Sequence, residues 1–153
     1  MSLPEWQRKG RLQSYRTSRD EIRELLDLAD RRLRDARVEA ISADWRFAAA
    51  YDAALTLVTI PLECAGYRTR GVGHHVTTFE ALSLTMGEGF RDLSDYLDRC
   101  RKTRNEVAYH RAGVVSPSEA EELIRRVSAF RDQVTQWLRD SHPQLAPHSP
   151  TEA

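Results

Sequence analysis

Between Ser42 and Gly66 the chain is apolar almost all the way round a helix. Trp45, Phe47, Ala48, Ala49, Ala50, Tyr51, Ala53, Ala54, Leu55, Leu57, Val58 and Ile60 leave no polar stripe wide enough to face water. Such a helix must be surrounded by others, so it is expected at the centre of a bundle. Pro61 should kink its last turns, and Gly66 supplies a C-cap. The flanking segments have the complementary, one-faced pattern. Ser18-Arg19-Asp20-Glu21 reads as a capping box opening a helix to about Ile41, with Ile22, Leu25, Leu26, Ala29, Leu33, Ala36 and Ala40 facing inward. Ser116-Pro117-Ser118-Glu119 starts another, running to about Ser141 and burying Ala120, Leu123, Ile124, Val127, Phe130, Val134, Trp137 and Leu138. Thr77-Thr78-Phe79-Glu80 caps a short helix that ends at Gly87 or Gly89, and a further helix spans about Phe90 to Tyr109. The spacing predicts an all-α, up-and-down bundle of four to five helices over residues 18–141, with no strand. A basic, flexible arm (residues 1–17) precedes it, and a disordered, proline-rich tail (142–153) follows it.

A chain of 153 residues suffices for one domain with a real core. Its 23 basic and 23 acidic residues cancel, which argues against coating nucleic acid through bulk charge but leaves room for a local basic cleft. The basic residues are almost all arginine, which suits bidentate phosphate binding and equally suits a GC-rich genome. Cys64 and Cys100 lie in apolar helical settings without metal-ligand spacing, as expected of buried, reduced thiols in a cytoplasmic protein. No secretory signal is apparent near Met1. The weakly charged run Phe47–Pro61 is shorter than the roughly 20 residues a membrane span needs. No membrane association and no cofactor are expected.

The chemistry concentrates in Arg104-Asn105-Glu106-Val107-Ala108-Tyr109-His110. Phe90, Leu93, Leu97, Cys100, Val107 and Ala108 define an apolar stripe, and at about 100° per residue Arg104 projects within roughly 20° of its middle. His110 lies about 120° from Arg104, near the helix end. A guanidinium on a core-facing seam breaks the patterning rule, as functional sites do, or else it pairs with a buried carboxylate. Asp52 of the central helix is the natural partner, because a carboxylate there is costly to bury alone. Otherwise Asp52 lines an exposed groove. The loop Tyr67–Val76 carries Arg68, Arg70 and His74, a candidate basic lip over the cleft. Gly71-Val72-Gly73 is too short to cradle a phosphate, and His74-His75 alone makes no metal site, so no metal is expected.

Arg104-Asn105 followed by His110, ending a helix of an all-helical chain, resembles the Arg-x4–6-His signature of HEPN domains. The order of the other landmarks extends the likeness over roughly residues 18–140: Trp45, Tyr51 and Asp52 on a long Ala-rich helix, then Gly66-Tyr67-Arg68, His74-His75, the motif helix and one last helix. In that order it looks most like the small stand-alone, actinobacterial-type HEPN proteins. The resemblance implies a metal-independent endoribonuclease of a toxin–antitoxin or defence system. His110 would serve as acid and base, Arg104 would stabilise the phosphorane and Asn105 would orient groups. It also implies a homodimer with a shared cleft, RNA as substrate, and a cognate antitoxin as a further partner. The products would carry a 2′,3′-cyclic phosphate and a 5′-hydroxyl. One departure concerns regulation: the position two residues after the motif histidine, where related toxins carry a modified tyrosine, is Ala112 here, while Tyr109 precedes His110. Two other readings fit the same residues, a non-catalytic module that binds nucleotide or RNA and a helical dimerisation protein.

Overall fold

The computed structural model describes residues 2–70, 74–109 and 113–148. Six helices and one two-stranded ladder make up its elements, and 75% of the described residues are helical, so the fold is an all-α bundle. In chain order they are α1 (Leu3–Arg8), β1 (Leu12–Ser14), α2 (Arg19–Ala36), α3 (Ala43–Cys64), β2 (Tyr67–Thr69), α4 (His74–Met86), α5 (Arg91–Tyr109) and α6 (Pro117–Ser141), with a short 3₁₀ turn, Glu88–Phe90, ahead of α5.

The all-round apolar helix takes the central place. α3 packs against α2, α4, α5 and α6 at once, and Tyr51, Leu57 and Ile60 are almost fully buried inside it. Each such side chain contributes about 1.5–3 kcal/mol by leaving water. By length and composition α3 could cross a membrane, yet 67% of its apolar stretch is buried within the bundle. Only its first turn turns outward: Trp45 is 62% exposed.

The caps follow the sequence. Ser42 accepts from Trp45 N at the start of α3, and Ser116 and Glu119 form a reciprocal capping box on α6. Ser18 accepts from Glu21 N on α2, but the Glu21 carboxylate is taken by the Tyr15 and Thr17 hydroxyls. α2 stops at Ala36, earlier than its periodicity suggests. Residues 37–42 must reverse the chain so that Ser42 can cap α3, and this leaves Val38 and Ile41 exposed. The buried Arg46 fastens that corner. Its Nε donates to Ala36 O at 2.7 Å, where α2 presents unsatisfied carbonyls, and its Nη2 meets Glu121 of α6 at 2.6 Å.

Several expectations need correction. The segment expected to be a loose arm is folded over its described residues, 2–17. Trp6 is 4% exposed, Leu12 is 1% exposed, and both pack with Leu62 and Ala81 in a second small core. The high charge of this segment obscured two apolar anchors. The Arg11 guanidinium itself lies over the Trp6 ring, 4.2 Å from its centre. Strands are present: Leu12, Gln13 and Ser14 pair antiparallel with Thr69, Arg68 and Tyr67. Three-residue strands over 50 residues apart carry no periodicity to read. β2 therefore replaces the first part of the expected loop, and α4 begins at His74, with Thr77 and Thr78 buried within it rather than capping it. The tail is also packed as far as it is described. Ala146 joins the core, Leu145 lies against it, and Arg19 of α2 bonds His148 and Pro143 O.

Candidate functional site

α5 has the one-faced pattern expected of it. Leu97 and Cys100 are buried, and Phe90, Leu93, Tyr96 and Val107 pack partly against the core, but Ala108 is exposed. Its other face holds the polar residues. Arg101 and Asn105, one turn apart, line an open cleft of ≈ 400 Å³ whose opposite wall is the first turn of α4, with His74, His75 and Val76. Arg101 is steadied from its own helix by Asp98, with Nε donating at 2.9 Å.

Tyr51 of α3 lies buried behind His75. Its hydroxyl lies 2.8 Å from His75 Nδ1, and its ring meets Phe79 edge-on at 5.8 Å between centres. A buried phenol must find a polar partner, and on this apolar helix His75 is the partner it finds. The electrostatics tie the cluster together. Burial pushes the Tyr51 hydroxyl well above its ordinary value; Arg101 and Arg104 oppose that rise and Asp52 adds to it. The His75 pKa is lowered, chiefly by burial. Asp52 pulls it back up, while His74, Arg101 and Arg104 press it down. Two guanidiniums, two imidazoles, a phenol and a carboxylate thus feel one another across α3, α4 and α5.

The motif residues divide. Arg104 is half-buried, and its Nε is enclosed without a hydrogen-bond partner. The expected ion pair with Asp52 is absent among the described residues. Asp52 is only half-buried, so it does not need the pairing that full burial would demand. Asn105 is exposed on the cleft wall. His110 lies outside the described residues, as do Ala112, Gly71–Gly73 and the side chain of Tyr109. The chain is fixed again just beyond the motif, where Asp44 of α3 accepts from Gly113 N at 2.7 Å and Val115 N at 3.1 Å.

Of the expected basic lip, His74 alone is on the cleft wall. Arg68 is held elsewhere, stacked 3.5 Å over the Tyr15 ring with its Nε on Glu63. Arg70 is exposed, and its backbone N bonds Arg11 O beyond the strand pair. Cys64 and Cys100 are pushed up by burial to about 12 and about 11, so neither thiol is a ready nucleophile. Among the described residues no group of three or more His, Cys, Asp or Glu side chains could hold a metal ion.

Sequence reasoning missed Arg101 and His75. The first was findable, because it precedes Arg104 and Asn105 by one helical turn and shares their face. The second was signalled only by the polar end of Tyr51 on an apolar helix, which requires a partner without saying which. Comparison of the chain with known protein families, curated proteins and solved structures returns no match.

Proposed function

We propose that the cleft between α4 and α5 binds the phosphate backbone of RNA and cleaves it without a metal ion, as a HEPN-type endoribonuclease of a toxin–antitoxin or defence system. The observation that carries this reading is the convergence of Arg101, Asn105, His74 and His75 on one open cleft beside the unpartnered Nε of Arg104. RNA brings its own nucleophile, the 2′-hydroxyl. Its cleavage therefore needs proton transfer and a cation near the phosphorane, and histidine and arginine supply these at neutral pH. Arg104 stabilises the developing charge, His110 transfers protons and Asn105 orients the phosphate. Arg101, on the cleft wall, adds a second guanidinium. The neutral net charge fits a protein that grips a few phosphates locally rather than coating a long duplex.

The likeness to HEPN domains adds a two-fold homodimer and a cognate antitoxin to this proposal. Light scattering should then give twice the 17.6 kDa chain mass at micromolar concentration. The test of function is cleavage of a mixed-sequence RNA by wild type and by folded Arg104→Ala and His110→Ala proteins. Each variant should lose about 10²–10³-fold in rate or more. Wild-type cleavage by either variant would contradict the assignment. RNA binding by all three proteins without any cleavage would favour a non-catalytic module.

A further inference from the structure

One imidazole cannot easily both remove the 2′-hydroxyl proton and protonate the departing 5′-oxygen on the far side of the phosphorus. Within one protomer the proposed reaction therefore lacks a group, and the cleft holds an unassigned histidine fixed by an unassigned tyrosine. We propose that His75 is the general base of this cleft and that Tyr51 is the residue that positions it; the inference rests on the ribonuclease reading.

The ring geometry decides the division of labour. Nδ1 of His75 is occupied by the Tyr51 hydroxyl at 2.8 Å. Nε2 lies on the opposite edge of the imidazole, in a side chain that forms part of the cleft wall. A base needs a bare nitrogen toward the substrate, so the neutral ring must keep its proton on Nδ1 and donate it to the Tyr51 oxygen. A phenol oxygen accepts such a bond readily, and burial keeps Tyr51 in its neutral, protonated form. The base is thus oriented by a third group, as activated catalytic bases generally are.

The groups facing the ring favour the neutral form. Arg101 and Arg104 from α5 and His74 from its own helix disfavour the imidazolium, together with burial, against Asp52 of α3. In the step itself the 2′-oxygen forms a bond to phosphorus and its proton passes to His75 Nε2. The bond from phosphorus to the 5′-oxygen breaks, and that oxygen takes a proton from His110. The cyclic phosphate leaves without a hydrolysis step, His75 returns its proton to solvent, and His110 takes one back from solvent.

The test compares wild type, His75→Ala, His75→Gln, Tyr51→Phe and His110→Ala, each checked for folding by circular dichroism. The substrates are RNA and uridine 3′-(4-nitrophenyl phosphate), whose leaving group needs no acid. Both His75 variants should lose about 10²–10⁴-fold on both substrates. His110→Ala should lose on RNA and recover on the nitrophenyl ester. Tyr51→Phe should lose about tenfold, the worth of one hydrogen bond. Nitrogen-15 NMR should show the neutral His75 ring protonated on Nδ1 in wild type and on Nε2 in Tyr51→Phe. RNA cleavage at the wild-type rate by both His75 variants, with His110→Ala inactive, would overturn the role of His75 and leave the ribonuclease reading standing. Wild-type protein that cleaves neither substrate would overturn both.

Discussion

Asp44 and Gly113 are 69 residues apart in sequence and joined by a 2.7 Å hydrogen bond from the glycine N–H to the aspartate carboxylate. The other carboxylate oxygen accepts from Val115 N. The first turn of the central helix thus anchors the chain three residues beyond the motif histidine. A carboxylate at a helix N-terminus is favourably placed for this, because the helix dipole stabilises its charge.

Asp44→Ala should therefore separate positioning from folding. Losing two charge-assisted hydrogen bonds at a partly exposed site costs about 1–3 kcal/mol, a visible but tolerable loss in urea denaturation. RNA cleavage should fall by at least about tenfold in protein that is still folded, since small displacements of catalytic groups are expensive. Unchanged cleavage would mean that residues 113–115 do not set the geometry of the motif.

Trp6 tests whether the N-terminal segment belongs to the fold. Its ring is buried with Leu12, Leu62 and Ala81 and carries Arg11 over one face. Trp6→Ala should cost about 3–5 kcal/mol if the small core is cooperative with the bundle. Thermal unfolding at the wild-type midpoint would show that α1 and the strand pair open independently.

What was legible in the sequence is what local spacing encodes. α3 declared itself by having no polar face, and α6 by a serine and a glutamate three residues apart that form the capping box. Arg104 and Asn105 stood out because a cation on an apolar stripe needs a reason. The strand pair was hidden because Leu12 meets Thr69 only after the chain has traversed two long helices. Tyr51 and His75 were hidden likewise: their bond spans 24 residues, and the phenol on an apolar helix asks for a partner without naming it. The end of α2 was set by the need to turn into α3, which the periodicity of Leu33, Ala36 and Ala40 does not contain.

Glu63 offers a test of the electrostatics beside the strand pair. Its carboxylate is 3% exposed, one oxygen has no partner, and burial raises its pKa despite Arg68. A carboxyl that holds its proton more tightly folded than unfolded contributes stability below its unfolded pKa, and that contribution is lost as pH rises through the folded value. Glu63→Gln should therefore match wild type near pH 4 and be the more stable protein at pH 7, because Arg68 stays half-exposed over Tyr15 and loses little. Thermal midpoints that differ by the same amount at both pH values would refute the buried, destabilised carboxylate.

The proposed reaction uses protein groups alone to cleave RNA in the cleft between α4 and α5. The most direct measurement is the end-group chemistry of RNA incubated with purified protein in excess EDTA. Cleavage should survive the chelator and leave a 2′,3′-cyclic phosphate on one fragment and a 5′-hydroxyl on the other. Intact RNA in EDTA, with cleavage restored by a divalent ion and 5′-phosphate ends, would contradict it.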